Sequence, residues 1–225
     1  MSKIRTRAQT HFPTVLLTLI SIIQALALEL MWSKIIDSDW LLVLDFQALI
    51  GWGMVIASFL GILQIWVMYS TMVMGFIWQP QLRDSIVPFI IGIQQFMLIA
   101  LIGDEFTTLW LYVLGSIFIS GNWVSHSSFK RARQDPENDD FFGNRKPATL
   151  RDFWPAITIV LILVVMALAI DMTQNQTWLP VLALVLANAV LIYQTFRFRM
   201  LWRLIMGLNT TSQIEAVAGE EVDEE

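Results

Sequence analysis

Glu29 is the residue whose surroundings point most directly to chemistry. It stands between long apolar runs, in the segment Ala-Leu-Ala-Leu-Glu-Leu-Met-Trp. A charged side chain at the centre of a lipid bilayer costs about 2.5–3.5 kcal/mol on insertion scales, so an acid in such a segment is a candidate functional residue. One interpretation is a proton- or cation-binding carboxylate that faces the interior of a helix bundle. The other is a carboxylate near the lipid headgroups, bonded to a neighbouring helix or to water.

Two further acids share a spacing with Glu29. Each of the three follows a proline by sixteen residues: Pro13 and Glu29, Pro88 and Asp104, and Pro155 and Asp171. If each proline begins a helix, each acid lies about 24 Å along it, at 1.5 Å per residue. The spacing predicts three tandem two-helix units with their acids at a common depth. Chance is the alternative, because prolines at helix starts and acids at helix ends are both common.

Acids also dominate the connections that are predicted to face outwards, where Lys34 is the one base. These acids are Glu29, Asp37, Asp39, Asp45, Asp104, Glu105 and Asp171. A negative outer face would concentrate cations, which makes Glu29, Asp104 and Asp171 the candidate residues for binding an ion or a proton. The bias of bases toward the inner side of a membrane also leaves outer loops poor in bases, so the acidic excess has a second explanation.

Polar side chains recur within the apolar runs and form a second group of candidates. They are Gln24, Gln64, Gln94, Asn122, His126 and Asn188. Amides bridge helices in membrane bundles, which is the packing interpretation. The alternative is a hydrated pathway lined by these side chains, with Glu29 near its outer mouth. Asn122 and His126 are four residues apart and share a helix face, but no second metal ligand stands at a suitable spacing from His126.

The elements that must position these residues are membrane-spanning helices. The chain is 56% hydrophobic and 15% charged, and it has no cysteine for disulfides or thiolate metal sites. About 20 apolar residues cross the hydrocarbon of a bilayer as a helix. Six such spans are predicted, at about residues 14–36, 47–77, 86–102, 106–129, 153–170 and 178–205. Because the runs are continuous and not alternating, the sequence predicts an all-α polytopic bundle over residues 1–208.

The bases set the orientation of this bundle. In the six-span arrangement, Lys34 alone of the 14 Lys and Arg residues falls on the outer side, and bases favour the cytoplasmic side. Both termini are therefore predicted to be cytoplasmic, in a plasma (inner) membrane. Residues 130–152 form a cytoplasmic connection, which could dock a partner through Phe141 and Phe142. Residues 209–225 are predicted to be a disordered acidic tail.

These features favour a small channel or transporter for a cation or a proton, which works as a homo-oligomer in the lipid bilayer. The alternative is a non-conducting accessory subunit that binds another membrane protein. Enzymatic activity is less favoured, because the sequence has no phosphate loop, HExxH helix or nucleophile elbow. The bases are distributed as orientation signals, so nucleic-acid binding is not predicted, and no cofactor is predicted.

Overall fold

The computed structural model describes residues 3–43, 45–77, 81–142, 147, 149–175 and 177–205. Within these ranges the regular structure is helical throughout, with no strand. The six long helices are α1 (Lys3–Ile36), α2 (Phe46–Gly75), α3 (Leu82–Ala100), α4 (Thr107–Ala132), α5 (Trp154–Thr173) and α6 (Trp178–Ile205). Short helical turns at Asp39–Leu42, Asp104–Phe106, Pro136–Asn138, Asp139–Phe142 and Leu150–Phe153 lie between them. The predicted tail 209–225 lies outside the described residues.

Five of the long helices are long and apolar enough to cross a membrane: α1, α2, α3, α5 and α6. The helix α4 has 26 residues, and its first 18 carry no charge, so its length and charge would both allow a crossing. Its tract of serine, glycine and asparagine lowers its hydropathy below that of the other five. The all-α class is therefore confirmed for the described residues, and the apolar helices indicate a membrane protein.

The helix starts that were predicted at Pro13 and Pro88 are wrong. The helix α1 begins at Lys3 and α3 begins at Leu82, so both prolines lie inside helices, whereas Pro155 lies in the first turn of α5. Membrane helices tolerate an internal proline, because neighbouring helices and local adjustments satisfy the freed carbonyl group. A proline is therefore a weaker start signal here than in a soluble protein.

The three acids that follow these prolines consequently occupy unlike positions. Glu29 lies well inside α1, Asp104 lies in the turn after α3, and Asp171 lies in the last turn of α5. The structure does not confirm the threefold repeat. The predicted bounds of the second and sixth spans agree with α2 and α6 to within two residues.

The six helices pack as a closed circuit. The helix α2 lies along α6, α4 lies along α5, and α1 lies along α3. Contacts of α3 with α4, of α5 with α6, and of α1 with α2 complete the circuit. Of the five apolar helices, α2 is the most buried in its hydrophobic stretch. It therefore provides the surface on which both α1 and α6 pack.

A buried ion pair joins α3 to the end of α4. Arg131 Nη2 lies 2.7 Å from Asp84 Oδ1, and the two side chains are 10% and 7% exposed. The second oxygen of Asp84 accepts the backbone N–H of Gln81 at 2.9 Å, which caps the start of α3. Arg131 also donates to Gln81 Oε1 at 3.2 Å. The pair therefore fixes the first turn of α3 against the last turns of α4.

The segment after α4 folds back on this end of the bundle. Asn138 is buried, and its amide accepts the N–H of Ile77 at 2.6 Å and donates to the carbonyl of Ala132 at 2.8 Å. Phe142 is also buried, with its ring against those of Phe76 and Phe129. The first part of the predicted connection is thus packed against α2 and α4. The side chain of Phe141, the other predicted docking residue, lies outside the described part.

We expect Asp84→Asn to destabilise the protein by about 3 kcal/mol, because Arg131 would stay buried without its counter-charge. The double variant Asp84→Asn with Arg131→Met should recover part of the loss, since the unpaired charge is gone. The stability of both variants is measured by thermal unfolding in detergent, with size-exclusion chromatography to monitor the folded fraction. The control is Asp139→Asn, an exposed acid near the same end. An unchanged melting temperature for Asp84→Asn would contradict the importance of the pair.

The α1–α3 contact depends on a glycine. A Cβ added at Gly92 would lie 2.7 Å from Ile23 Cγ2, which is a methyl group on a stiff β-branched side chain. Gly92→Ala should therefore cost about 1–3 kcal/mol of stability, and a second change, Ile23→Ala, should relieve the clash. Gly115→Ala is the matched control, because a Cβ there meets nothing within 4 Å. Equal melting temperatures for the two alanine variants would show that the helices are not this close.

Candidate functional site

Most of the predicted polar residues join helices. Each of four amides donates a hydrogen bond to a neighbouring helix: Gln24 to the Ile62 carbonyl at 2.9 Å, Gln64 to the Leu191 carbonyl at 2.6 Å, Asn188 to the Gly53 carbonyl at 3.0 Å, and Gln94 to the Ser116 and Ser120 hydroxyls at 3.0 Å. These bonds join three helix pairs: α1 with α2, α2 with α6 (twice), and α3 with α4. The packing interpretation therefore fits these four side chains. Gln95 differs, because its buried amide has no hydrogen-bond partner among the described residues.

The predicted acids do not converge on one site. Glu29 is exposed on α1 and makes no hydrogen bond or ion pair with any described residue, so its side chain does not face the interior of the described single chain. Asp171 is exposed at the end of α5. Asp104 lies in the α3–α4 turn, and its side chain is outside the described part. No group of three potential metal ligands is present in the part of the chain that the structure describes.

A cleft of about 410 Å³ lies between α2, α4, α5 and α6. Its walls are mainly apolar and include Ile65, Leu114, Phe118, Ile159 and Phe198. Clefts of roughly 300–1,000 Å³ with apolar walls and a few convergent polar groups are the usual form of small-molecule sites. The cleft is therefore the candidate functional site.

The cleft occupies one half of the bundle. It is lined by the second half of α2, from Gly61 to Met68, by the start of α5 and by the second half of α6. Asp152 and Arg197 lie at its mouth, and both are exposed. This is the end of the bundle that the distribution of bases assigns to the cytoplasm.

Two predicted polar residues, Gln64 and Asn122, line the cleft. Gln64 already donates to Leu191 and to the hydroxyl of Thr195, and Asn122 donates to the Phe118 carbonyl of its own helix at 2.8 Å. His126 lies outside the lining, with its ring 4.7 Å from that of Phe153 in an edge-to-face contact. The hydrogen bond between Asn122 and His126 that their spacing allowed is therefore not formed.

The sequence did not single out the mouth of the cleft. Arg197 donates to the hydroxyl of Tyr193 at 3.3 Å, and Gln194 lies beside them in the lining. Tyr193, Gln194 and Arg197 lie two, three and six residues after Leu191 in α6. The sequence therefore placed them near one another on the same helix. Arginines at the end of a membrane helix usually lie in the headgroup layer, which is why Arg197 carried no separate signal.

Asp152 has its own structural role at the mouth. Its carboxylate accepts the backbone N–H of Thr149 at 2.6 Å and the Thr149 hydroxyl at 3.0 Å. Two hydrogen bonds lower the pKa of Asp152 below its ordinary value, because both stabilise the charged carboxylate. The bond from the Thr149 backbone has the larger effect, and the bond from the Thr149 hydroxyl has the smaller. The charged carboxylate thus stabilises the turn Leu150–Phe153 that leads into α5.

No family model, curated protein or solved structure matches this chain. Function must therefore be inferred from the chemistry of the cleft and of the exposed helix faces.

We expect Asp152→Asn to lower the melting temperature at neutral pH, because the charged acceptor is lost. A carboxyl group whose pKa is lowered in the folded state adds stability above its unfolded pKa, near 3.8, and loses it as the pH falls through the lower folded value. The wild type and the variant should therefore differ at pH 6 to 8, and the difference should shrink as the pH falls below 3.8. Asp171→Asn, at the opposite end of α5, is the control and should cause no loss. A difference that is independent of pH would contradict this role.

Proposed function

We propose that this chain is a six-span membrane protein that binds an amphipathic molecule in the cleft between α2, α4, α5 and α6. The observation that carries the proposal is the cleft itself, which combines apolar walls inside the bundle with charged groups at its mouth. An apolar chain fits the walls, and a polar head fits the mouth.

Six crossings and cytoplasmic termini are part of this proposal. The helix α4 packs along α5 and against α3, both of which are apolar enough to cross, so it would cross with them. An even number of crossings leaves both termini on one side. The positions of the bases favour the cytoplasmic face of a plasma (inner) membrane for that side.

The chemistry at the mouth favours a ligand with an anionic head. Arg197 offers guanidinium donors, and the hydroxyl of Tyr193 lies beside it. A guanidinium group pairs well with phosphate or carboxylate oxygens. Asp152 is held by Thr149, so its carboxylate is already committed to the turn before α5. A phospholipid from the inner leaflet has the required chemistry, with an apolar chain and a phosphate head.

Transport of a cation or a proton receives less support from this geometry. Such transport needs acids or other polar groups along one continuous route. Glu29 and Asp171 are exposed away from the cleft, and Gln24, Gln94 and Asn188 bond to neighbouring helices. We therefore favour binding of an amphipathic molecule over conduction of ions.

The test is photolabelling of the purified full chain in nanodiscs with a phosphatidylglycerol that carries a diazirine in its acyl chain. Gly61→Leu should reduce labelling of the cleft about tenfold, because a Cβ at Gly61 meets nothing within 4 Å and a leucine there would fill the cleft. Ala189→Leu is the size-matched control, since Ala189 is exposed on α6 outside the lining. Arg197→Gln should weaken labelling about fivefold, as expected for a partly exposed ion pair.

Peptide mapping of the label decides the outcome. Label on lining residues of α2, α4, α5 or α6 that falls in Gly61→Leu but not in Ala189→Leu supports the proposal. The control for the charge is Arg199→Gln, because Arg199 is exposed and does not line the cleft. Label spread evenly over the exposed helix faces, and equal in all variants, would overturn the proposal.

A further inference from the structure

Glu29 lies on a face of α1 that no other described helix covers. Residues that include Leu16, Ile20 and Ala27 are buried on the opposite side, where α1 packs against α3 and α2. Glu29 is exposed, with the exposed apolar residues Leu28 and Leu30 on either side of it in the chain. The carboxyl group therefore projects away from the bundle. Its exposed apolar neighbours indicate that this face of α1 contacts lipid or another protein and not water.

The depth of Glu29 follows from two contacts of α1. Gln24 bonds to the carbonyl of Ile62, which lies near the middle of α2, and Ile23 contacts Gly92, near the middle of α3. Glu29 lies five residues beyond Gln24, or about 8 Å further along the helix. Half of the hydrocarbon layer is about 15 Å thick. Glu29 is therefore about 7 Å inside the hydrocarbon boundary when α2 and α3 are centred in the bilayer.

The described residues provide no cation at this depth. Lys34 lies five residues further out, about 8 Å along the helix and about 140° around it from Glu29. The other bases of the described residues lie near the inner helix ends, on the opposite side of the bilayer from Lys34. An acid in the hydrocarbon pairs with an opposite charge or a hydrogen-bond donor in most membrane proteins. The partner of Glu29 must therefore come from another molecule.

The residues around Glu29 form a seam that suits a helix. Six exposed residues follow one another along α1 at alternating spacings of three and four, and we call this row the Glu29 seam. They are Val15, Thr18, Ile22, Ala25, Glu29 and Trp32. This spacing is the one by which two helices pack side by side at about 20°. Ala25 and Thr18 are small enough for close approach, and Thr18 and Glu29 are polar. An acid in such a seam favours a partner helix that has a basic side chain at the same level.

We propose that the Glu29 seam is a docking surface for a transmembrane helix of another protein, and that this helix carries a lysine or an arginine at the depth of Glu29. The argument is charge complementarity, because a lone carboxylate in an apolar seam is satisfied by a base at the same level. The proposal is independent of the cleft, which lies between other helices.

The test uses the absence of cysteine from the chain. The full-length variant Ile22→Cys is reconstituted in phosphatidylcholine vesicles with a synthetic Leu/Ala transmembrane peptide. The peptide carries one cysteine and, seven residues closer to its outer end, one lysine, which matches the spacing of Ile22 and Glu29. Oxidation should link the chain to this peptide about tenfold more than to the same peptide with leucine in place of lysine.

Two variants in the Ile22→Cys background isolate the charge. Glu29→Ala should abolish the preference for the lysine peptide, whereas Asp37→Asn, the control acid at the exposed outer end of α1, should keep it. Glu29 is exposed and makes no hydrogen bond or ion pair with any described residue, so the melting temperature and circular dichroism of Glu29→Ala should match those of the wild type.

Any one of three results would overturn the proposal. Equal linkage to the lysine and leucine peptides would show that the charge does not select the partner. Disulfides between two copies of the chain that exceed those with the lysine peptide would show that the seam pairs with itself. A peptide whose lysine lies seven residues on the inner side of its cysteine places the charge away from Glu29, so its linkage should fall to that of the leucine peptide. Undiminished linkage of this peptide would show that the depth of the base does not matter.

Discussion

The hydrocarbon of a bilayer has no water to bond with polar groups, and this constraint shapes the described part of the molecule. Gln24, Gln64 and Asn188 each find a backbone carbonyl on a neighbouring helix. Their amides are thus used as connections between helices, and each one limits how far its helix can slide or rotate. Glu29 has no such bond with any described residue, which is why we infer a partner for it on another molecule.

The two ends of the bundle meet this constraint differently. At the end predicted to be cytoplasmic, Asp84, Arg131 and Asn138 form a buried polar layer that closes the gap between α2, α3 and α4. At the other end, short turns between helices expose their acids. The cleft is lined by residues of α2, α4, α5 and α6, and Asp84, Arg131 and Asn138 are not among them.

The sequence predicted the helices well but not the direction in which their side chains face. In a soluble protein, apolar periodicity identifies the buried face of a helix. In α1 both faces are apolar, so nothing in the sequence distinguished the exposed position of Glu29 from an interior one. The positions of Pro13 and Pro88 were misleading, because membrane helices continue through proline. The Asp84–Arg131 pair joins residues 47 positions apart, and each looked like an ordinary charge at a membrane surface.

The bond from Gln64 to Leu191 spans 127 residues of the chain. At a synthesis rate of about 5–20 residues per second, α6 emerges from the ribosome roughly 6–25 s after α2. During that interval Gln64 has no partner from α6, and the face of α2 that packs on α6 is uncovered. The contact that joins α2 to α6 through Gln64 can therefore form only after α6 has been synthesised. Until then the amide of Gln64 needs a hydrogen-bond partner outside α6, which the acyl chains of the lipid do not provide.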